Sequence, residues 1–157
     1  MLDIQIPGCG PLALSNLVLD MNGTIAVDGA VPDAVAVQVC ELAENLQVFL
    51  LTADTFGTAA DLAGRLGAEL FILEPGGREA EQKADFVRTL GPATCVVIGN
   101  GANDVLMMGE AGVAIGVLGR EGMAAPVATA ADVIVTDPMD ALDLLLSPKR
   151  LVATLRR

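Results

Sequence analysis

The chain has 157 residues, 53% of them hydrophobic, with 17 glycines and only 3% aromatic residues, none of which is Trp or Tyr. That length and apolar content suit a single globular domain able to bury roughly 70% of its unfolded surface, and exclude a disordered chain. A net charge of −11 with so few rings excludes a general nucleic-acid binder, because phosphate backbones select basic surfaces and single strands select aromatic platforms.

Other residue types narrow the chemistry further. There is no His, so acid–base work must use carboxylates or lysine, and His-ligated metals are excluded. Cys9, Cys40 and Cys95 are odd in number and widely spaced, which suggests neither a disulfide framework nor a zinc site. Cys40 and Cys95 lie in apolar runs and are predicted to be core residues. With no signal peptide and no apolar run of about 18 residues, a reducing cytoplasmic location without membrane insertion is expected. Four of the nine basic residues (Lys149, Arg150, Arg156 and Arg157) crowd the last nine positions, which reads as a solvated helix end, with a small docking patch as the alternative.

Strand-like and helix-like patterns alternate along the chain, which predicts an α/β fold: a mostly parallel sheet with helices on both faces. Residues 3–6 and 12–14 flank Pro7-Gly8-Cys9-Gly10-Pro11 and read as an N-terminal β-hairpin, 1–14, ahead of a core over 15–147. Residues 15–20 form the first central strand. Asp33 is placed to cap a helix whose apolar positions Val35, Val39, Leu42 and Leu46 keep helical spacing. A second strand, 47–51, ends at Thr52. A helix over 57–66 stops at Gly67, a third strand covers 69–73, and the turn Glu74-Pro75-Gly76-Gly77 leads into a helix over 79–90 that carries Lys83. A fourth strand, 94–98, runs into Gly99-Asn100-Gly101. Then come a helix over 102–110, strands over 113–117 and 132–135, and helices over 137–146 and 148–156, the last outside the core at 148–157.

The chemistry-bearing residues fall at strand ends. Leu17-Val18-Leu19 breaks at Asp20-Met21-Asn22-Gly23-Thr24, which leaves a carboxylate at the carboxyl end of a buried strand, where open α/β sheets bind ligands. Such a carboxylate can act as a nucleophile toward phosphorus. Thr52 ends the second strand, Lys83 lies in the helix before the fourth, and Asn100, Asn103 and Asp104 follow the fourth. Parallel topology gathers these ends at one edge. A phosphoryl site needs this set: a nucleophile, a hydroxyl and N–H groups for phosphoryl oxygens, a lysine for developing charge, and carboxylates for Mg²⁺. Taken singly each part is bland, since a strand-end Asp is often a cap and a helical Lys is usually solvated.

In this order the motifs resemble the haloacid-dehalogenase (HAD) superfamily of phosphoryl-transfer proteins. The chain reads Asp20-Met-Asn-Gly-Thr24, Leu51-Thr52, Lys83 and Gly99-Asn-Gly-Ala-Asn-Asp104. Within that superfamily it is most similar to small soluble relatives of the phosphorylation domain of P-type ATPases. Thr52-Ala53-Asp54 resembles the pumps' Thr-Gly-Asp, and Gly99 to Met108 with Ala111, Gly112 and Ala114-Ile115-Gly116 resembles their hinge motif. The resemblance implies a three-layer Rossmann-like sandwich without a cap. It makes Asp20 the nucleophile, with Asn22, Gly23, Thr24, Thr52, Ala53, Lys83 and Asn103 holding the phosphoryl group. It puts Mg²⁺ among Asp20, Asn22, Asn100 and Asp104.

Two departures bear on function. Asn22 stands where HAD phosphatases usually carry an Asp that protonates the leaving oxygen and then activates water. Losing such help costs about 10²–10⁴-fold. Asn100 stands where a carboxylate usually binds Mg²⁺, which makes Asp104 the expected principal carboxylate of that loop. Asp54 is a substitute base on paper. Architecture departs as well: residues 21–51 and 53–82 are too short to hold the pumps' nucleotide domain or a large cap. An open site suits a phosphorylated macromolecule, or a homo-oligomer in which a neighbour covers it. Three readings follow: a slow Mg²⁺-dependent phosphatase, a phosphate-sensing regulatory module with a protein partner, and a receiver-like phosphoacceptor. The last is disfavoured because Asp20 ends the first strand of the main sheet. Asp28, Asp61, Asp85 and the acids at 137–143 read as caps and solvated faces, and Met107-Met108 as core.

Overall fold

The computed structural model describes residues 1–54 and 57–157. The chain opens on an antiparallel hairpin, β1 (Leu2–Ile6) and β2 (Gly10–Leu14), registered Leu2 to Leu14 and Ile6 to Gly10. There follow β3 (Asn16–Asp20), α1 (Asp33–Ala43), β4 (Gln47–Thr52), α2 (Ala59–Leu66), β5 (Glu69–Ile72) and α3 (Glu79–Leu90). The second half runs β6 (Cys95–Gly99), α4 (Val105–Glu110), β7 (Val113–Val117), α5 (Val127–Ala130), β8 (Val133–Val135), α6 (Pro138–Leu146) and α7 (Pro148–Leu155).

Strands β3 to β8 build one parallel sheet in the order β5-β4-β3-β6-β7-β8. From β3 the chain steps outward through β4 to β5, then returns to the other side of β3 and steps outward through β7 to β8. The order therefore reverses between β3 and β6, the place where open α/β sheets leave a crevice at their carboxyl edge. The buried strands read as near-continuous apolar runs, as expected where both faces are covered.

Strand period two divides the core into two layers. Leu17, Leu19, Val48, Leu50, Val96 and Ile98 face α1, α2, α6 and α7, where Ile4, Ile6 and Leu14 of the hairpin join the same apolar cluster. Val18, Phe49, Leu51, Cys95 and Val97 face α3 and α4. Asp20 lies two residues beyond Val18, so it points to the α3 side. That parity lets a lysine on α3 reach it. Helix α3 is fixed there by three of the four phenylalanines: the Phe86 ring lies 5.2 Å from that of Phe49 on β4 and 4.8 Å from that of Phe71 on β5. Aromatic contacts of this kind are worth about 1 kcal/mol each beyond the area they bury.

Several expectations need correction. Cys40 is exposed on α1, while Cys95 is buried as expected. Asp33 makes no capping bond: Pro32 occupies the N-cap position and Asp33 pairs across the surface with Arg65. Helix α2 starts at Ala59 rather than at residue 57. Helix α5, four residues long, is too short to leave a periodic signal in sequence. Asp137 does cap a helix, accepting from the Met139 amide at 2.8 Å, and Met107 and Met108 are buried in the core.

Candidate active site at the β3–β6 switch point

The first feature is a buried charge cluster. Lys83 is 0% exposed, an unusual place for an ammonium, and it is held by two carboxylates. Its Nζ donates to Asp20 Oδ1 at 2.6 Å and to Asp104 Oδ1 at 2.7 Å. Ala84 and Val87 bury the same face of α3, so the fold that anchors the helix also delivers the lysine. Desolvation pulls the Lys83 pKa down, but the charges and hydrogen bonds of Asp20 and Asp104 outweigh it and leave it above 10.5. One ammonium serves two carboxylates, so one negative charge is left over in a dry place. Accordingly burial raises the Asp20 pKa, the Lys83 charge lowers it, and the Asp104 charge raises it, for a net rise from 3.8 to about 6.

The loop after Asp20 closes on itself. Thr24, Ile25 and Ala26 donate their amides to the Met21 carbonyl, and the Gly23 amide donates to the Ala26 carbonyl at 2.9 Å. The N–H groups of Gly23 and Thr24, expected to serve a phosphoryl group, are thus used within the turn. The Thr24 hydroxyl lies 2.8 Å from Asp20 Oδ2 and 3.1 Å from Asn100 Oδ1, so one side chain ties the first strand end to the loop after β6. Gly23 is required there: a Cβ on it would sit 2.5 Å from Asn100 Nδ2.

Asp104 turns back over Gly99, where a Cβ would lie 2.5 Å from its Cγ. Its Oδ2 accepts the amides of Asn100 at 3.0 Å and Gly101 at 2.8 Å, while its Oδ1 takes Lys83. It is 0% exposed. The carboxylate expected as the principal metal ligand is therefore enclosed as the holder of Lys83 and of the 99–104 turn. Thr52 is buried beside the site and accepts the Asp54 amide at 3.0 Å. Ala53 is exposed at the strand end. Asn103 lies exposed on the 3₁₀ turn Ala102–Asp104, with no hydrogen bond to Asp20, Lys83 or Thr24. Asp54, at φ +51°, accepts the Ala59 amide at 3.0 Å at the start of α2, which makes it a loop brace.

What could a cation find here? Asp20 Oδ2 and Asn100 Oδ1 converge on the single Thr24 hydroxyl, and Asn22, whose main-chain carbonyl is the expected ligand, also has its Oδ1 buried with no hydrogen-bond partner. These are hard oxygens of the kind Mg²⁺ prefers, but they include only one carboxylate. Among the described residues no group of three or more His, Cys, Asp or Glu side chains is placed to hold a metal. The donor set fits Mg²⁺ with less charge behind it. Sequence reasoning missed the strap across the site formed by residues 119–124. The Ala124 amide donates to the Asn100 carbonyl at 2.8 Å, and Asn100 Nδ2 donates to the Gly122 carbonyl at 3.1 Å. Main-chain acceptors carry no residue signature; only Gly119 and Gly122 hinted at a turn. A cleft of about 320 Å³ runs from Gly23 and Thr24 past Val27 and Val35 to Arg120 and Met139.

No family model matches the chain. It is 46% identical over 61 residues to the uncharacterised protein MJ0073 of Methanocaldococcus jannaschii, covering 39% of this chain and 66% of that one. It is 31% identical over 138 residues to a copper-exporting P-type ATPase of Staphylococcus saprophyticus, covering 86% of this chain but only 16% of the pump. The chain thus spans less than two thirds of the length of either relative. Among solved structures, it resembles 3-deoxy-D-manno-octulosonate 8-phosphate phosphatase from Yersinia pestis at a TM-score of 0.68 and 17% identity, over 98% of this chain and 95% of that one. It resembles the Moraxella catarrhalis enzyme, solved with magnesium, phosphate and a KDO molecule, at a TM-score of 0.64 and 17% identity, over 91% and 94%. The cobalt-bound Haemophilus influenzae enzyme aligns at 0.65 and 14% identity, over 90% and 89%. In its fold, with the motif residues gathered at the carboxyl edge of the sheet, the chain resembles HAD-family hydrolases and phosphatases of known structure.

Proposed function

We propose that the protein is a Mg²⁺-dependent phosphohydrolase or phosphoryl-transfer protein working through an aspartyl-phosphate at Asp20, with slow release of the phosphoryl group. The observation that carries this reading is the buried Asp20–Lys83–Asp104 cluster at the switch point, bounded by Thr24 and Thr52. A buried lysine pinned by two acids is a costly arrangement to keep for stability alone.

A carboxylate oxygen of Asp20 attacks phosphorus of a phosphomonoester, the bond from phosphorus to the leaving oxygen breaks, and an alkoxide departs that takes its proton from solvent. Lys83 and the Thr52 hydroxyl hold the phosphoryl oxygens, with Asn22, Gly23, Thr24, Ala53 and Asn103 around them. Asp20, the Asn22 main-chain carbonyl and Asn100 would hold Mg²⁺, with Asp104 behind, and the ion supplies charge neutralisation at those oxygens. Water then attacks phosphorus and expels the Asp20 carboxylate as inorganic phosphate is freed. Asn22 can neither give a proton in the first step nor take one in the second, which makes the acyl-phosphate persist.

The absence of a bulky insertion between β3 and α1 favours a phosphate ester on a large molecule. A second copy covering the cleft is the alternative. The free cysteines, two of them exposed, agree with a reducing, cytoplasmic setting, and the charge of −11 disfavours nucleic acid. Among the described residues no helix is long and apolar enough to cross a membrane. Asn22 and Asn100 favour a second reading, a phosphate-sensing module that binds a protein partner without turnover.

Acid-quench labelling with radiolabelled acetyl phosphate and Mg²⁺ tests the proposal. The expected result is a hydroxylamine-sensitive adduct in wild type that is lost in Asp20→Asn. No adduct in wild type would sink the catalytic reading and leave the sensing one.

A further inference from the structure

Asn100 makes four hydrogen bonds, and their pattern is one an aspartate could not reproduce. Its amide donates to Asp104 Oδ2, its carbonyl accepts from Ala124, its Oδ1 shares the Thr24 hydroxyl proton with Asp20 Oδ2, and its Nδ2 donates to the Gly122 carbonyl. The last two fix the side-chain amide in one orientation: oxygen toward Thr24 and Asp20, nitrogen toward the strap. The strap is tied at another point too, since Glu121 Oε1 accepts the Asp28 amide at 3.1 Å, joining it to the turn after the nucleophile loop. A carboxylate at position 100 would face the Gly122 carbonyl, 3.1 Å from the present nitrogen, with no proton between two acceptors. It would also add a charge beside Asp20 and Asp104, which share one lysine.

We propose that Asn100 is a positioning residue that lets strap 119–124 close over the nucleophile loop without a divalent cation, so that the site stands assembled before metal or phosphate arrives. A carboxylate at this place needs a cation to offset its repulsion of the Gly122 carbonyl; the amide supplies the missing donor itself. The inference rests on the proposed use of Asp20 as a phosphoryl acceptor, but its test does not depend on turnover.

Hydrogen exchange of the 118–126 segment is followed by mass spectrometry in EDTA and in about 5–10 mM Mg²⁺, enough to load a weak site, for wild type, Asn100→Asp and Asn100→Ala. In wild type the strap is equally protected in both buffers. In Asn100→Asp it exchanges roughly tenfold or more faster in EDTA, the cost of one buried bond plus repulsion, and Mg²⁺ restores it. In Asn100→Ala it is fast in both, because the donor is gone and no charge is left for Mg²⁺ to offset. Circular dichroism checks that each variant folds, and the alanine variant keeps the test decisive if the aspartate one does not. Wild-type protection that appears only with Mg²⁺, or an alanine variant as protected as wild type, overturns the inference. Failure to label Asp20 with acetyl phosphate would instead overturn the catalytic reading and leave the strap result standing.

Discussion

Replacing Asn22 by Asp puts a titratable group where the proposed reaction lacks one. The side chain is next to the nucleophile loop's turn, and its oxygen is already buried without a partner. A carboxyl there would join a cluster in which burial, with the Asp104 charge, outweighs the Lys83 charge and pushes the Asp20 pKa up to about 6. The new acid should be raised for the same reasons, which suits a group that must donate a proton and then take one near neutral pH. Restored acid–base help is worth about 10²–10⁴-fold, or roughly 3–5 kcal/mol of barrier, and both steps should gain. The variant also pays in stability, about 1–3 kcal/mol for one more poorly solvated charge. The assay is a chase: the Asp20 adduct is formed with labelled acetyl phosphate, excess unlabelled donor is added, and decay is timed by acid quench. The wild-type adduct should persist and the Asn22→Asp adduct should vanish about a hundredfold faster or more, with matching phosphate release. Equal decay in the two proteins would refute the assignment of Asn22 as the cause of slow release.

Two further outcomes follow from the cluster. Lys83→Met leaves two carboxylates buried without a counter-charge and should cost about 3–5 kcal/mol in denaturant titration; Lys83→Met with Asp104→Leu should recover part of that, and a single variant within about 1 kcal/mol of wild type would contradict the geometry. Asp20 has a folded pKa raised from 3.8 to about 6, so between those values the folded chain holds a proton that the unfolded chain has lost, and stability falls as pH rises through that window. Measured in chelator, wild type should lose up to about 3 kcal/mol relative to Asp20→Asn between pH 4 and pH 7, with no further loss from this group above it. Parallel pH curves for the two proteins would show that burial of Asp20 does not dominate its titration.

Period and punctuation made most of the fold legible. Leu17-Val18-Leu19 before Asp20, and Val96-Val97-Ile98 before Gly99, are short apolar runs ended by turn residues, and both are central strands. Their residue types also marked Asp20, Thr52 and Lys83, because a parallel sheet must bring strand ends together. The sequence did not disclose what each polar atom would touch. Asp104 looked like a metal carboxylate, yet Gly99 leaves room for it to turn inward and spend its oxygens on Lys83 and two amides. Cys40 looked apolar by its neighbours, but a helix rotates successive residues by about 100° and carried it to the exposed side. The strap over Asn100 works through main-chain carbonyls, which any residue supplies.

In the proposed aspartyl-phosphate cycle the two asparagines would act on different halves. Two acids and one lysine leave the buried cluster with one net negative charge. Acids at 22 and 100 would make it three, and an arriving phosphoryl dianion would then need a tightly held cation to approach at all. With amides in both places, a phosphoryl group meets less repulsion and a weaker metal is enough, so capture is favoured. In the proposed cycle the same exchange would remove the proton carrier that release requires. Substitution at 100 alone would weaken metal binding without lengthening the adduct's life, and substitution at 22 alone would lengthen it while keeping a strong demand for metal. Together they would make a site that loads easily and empties slowly, and on the proposed reading the fraction phosphorylated would then be set by the supply of donor rather than by the rate of turnover.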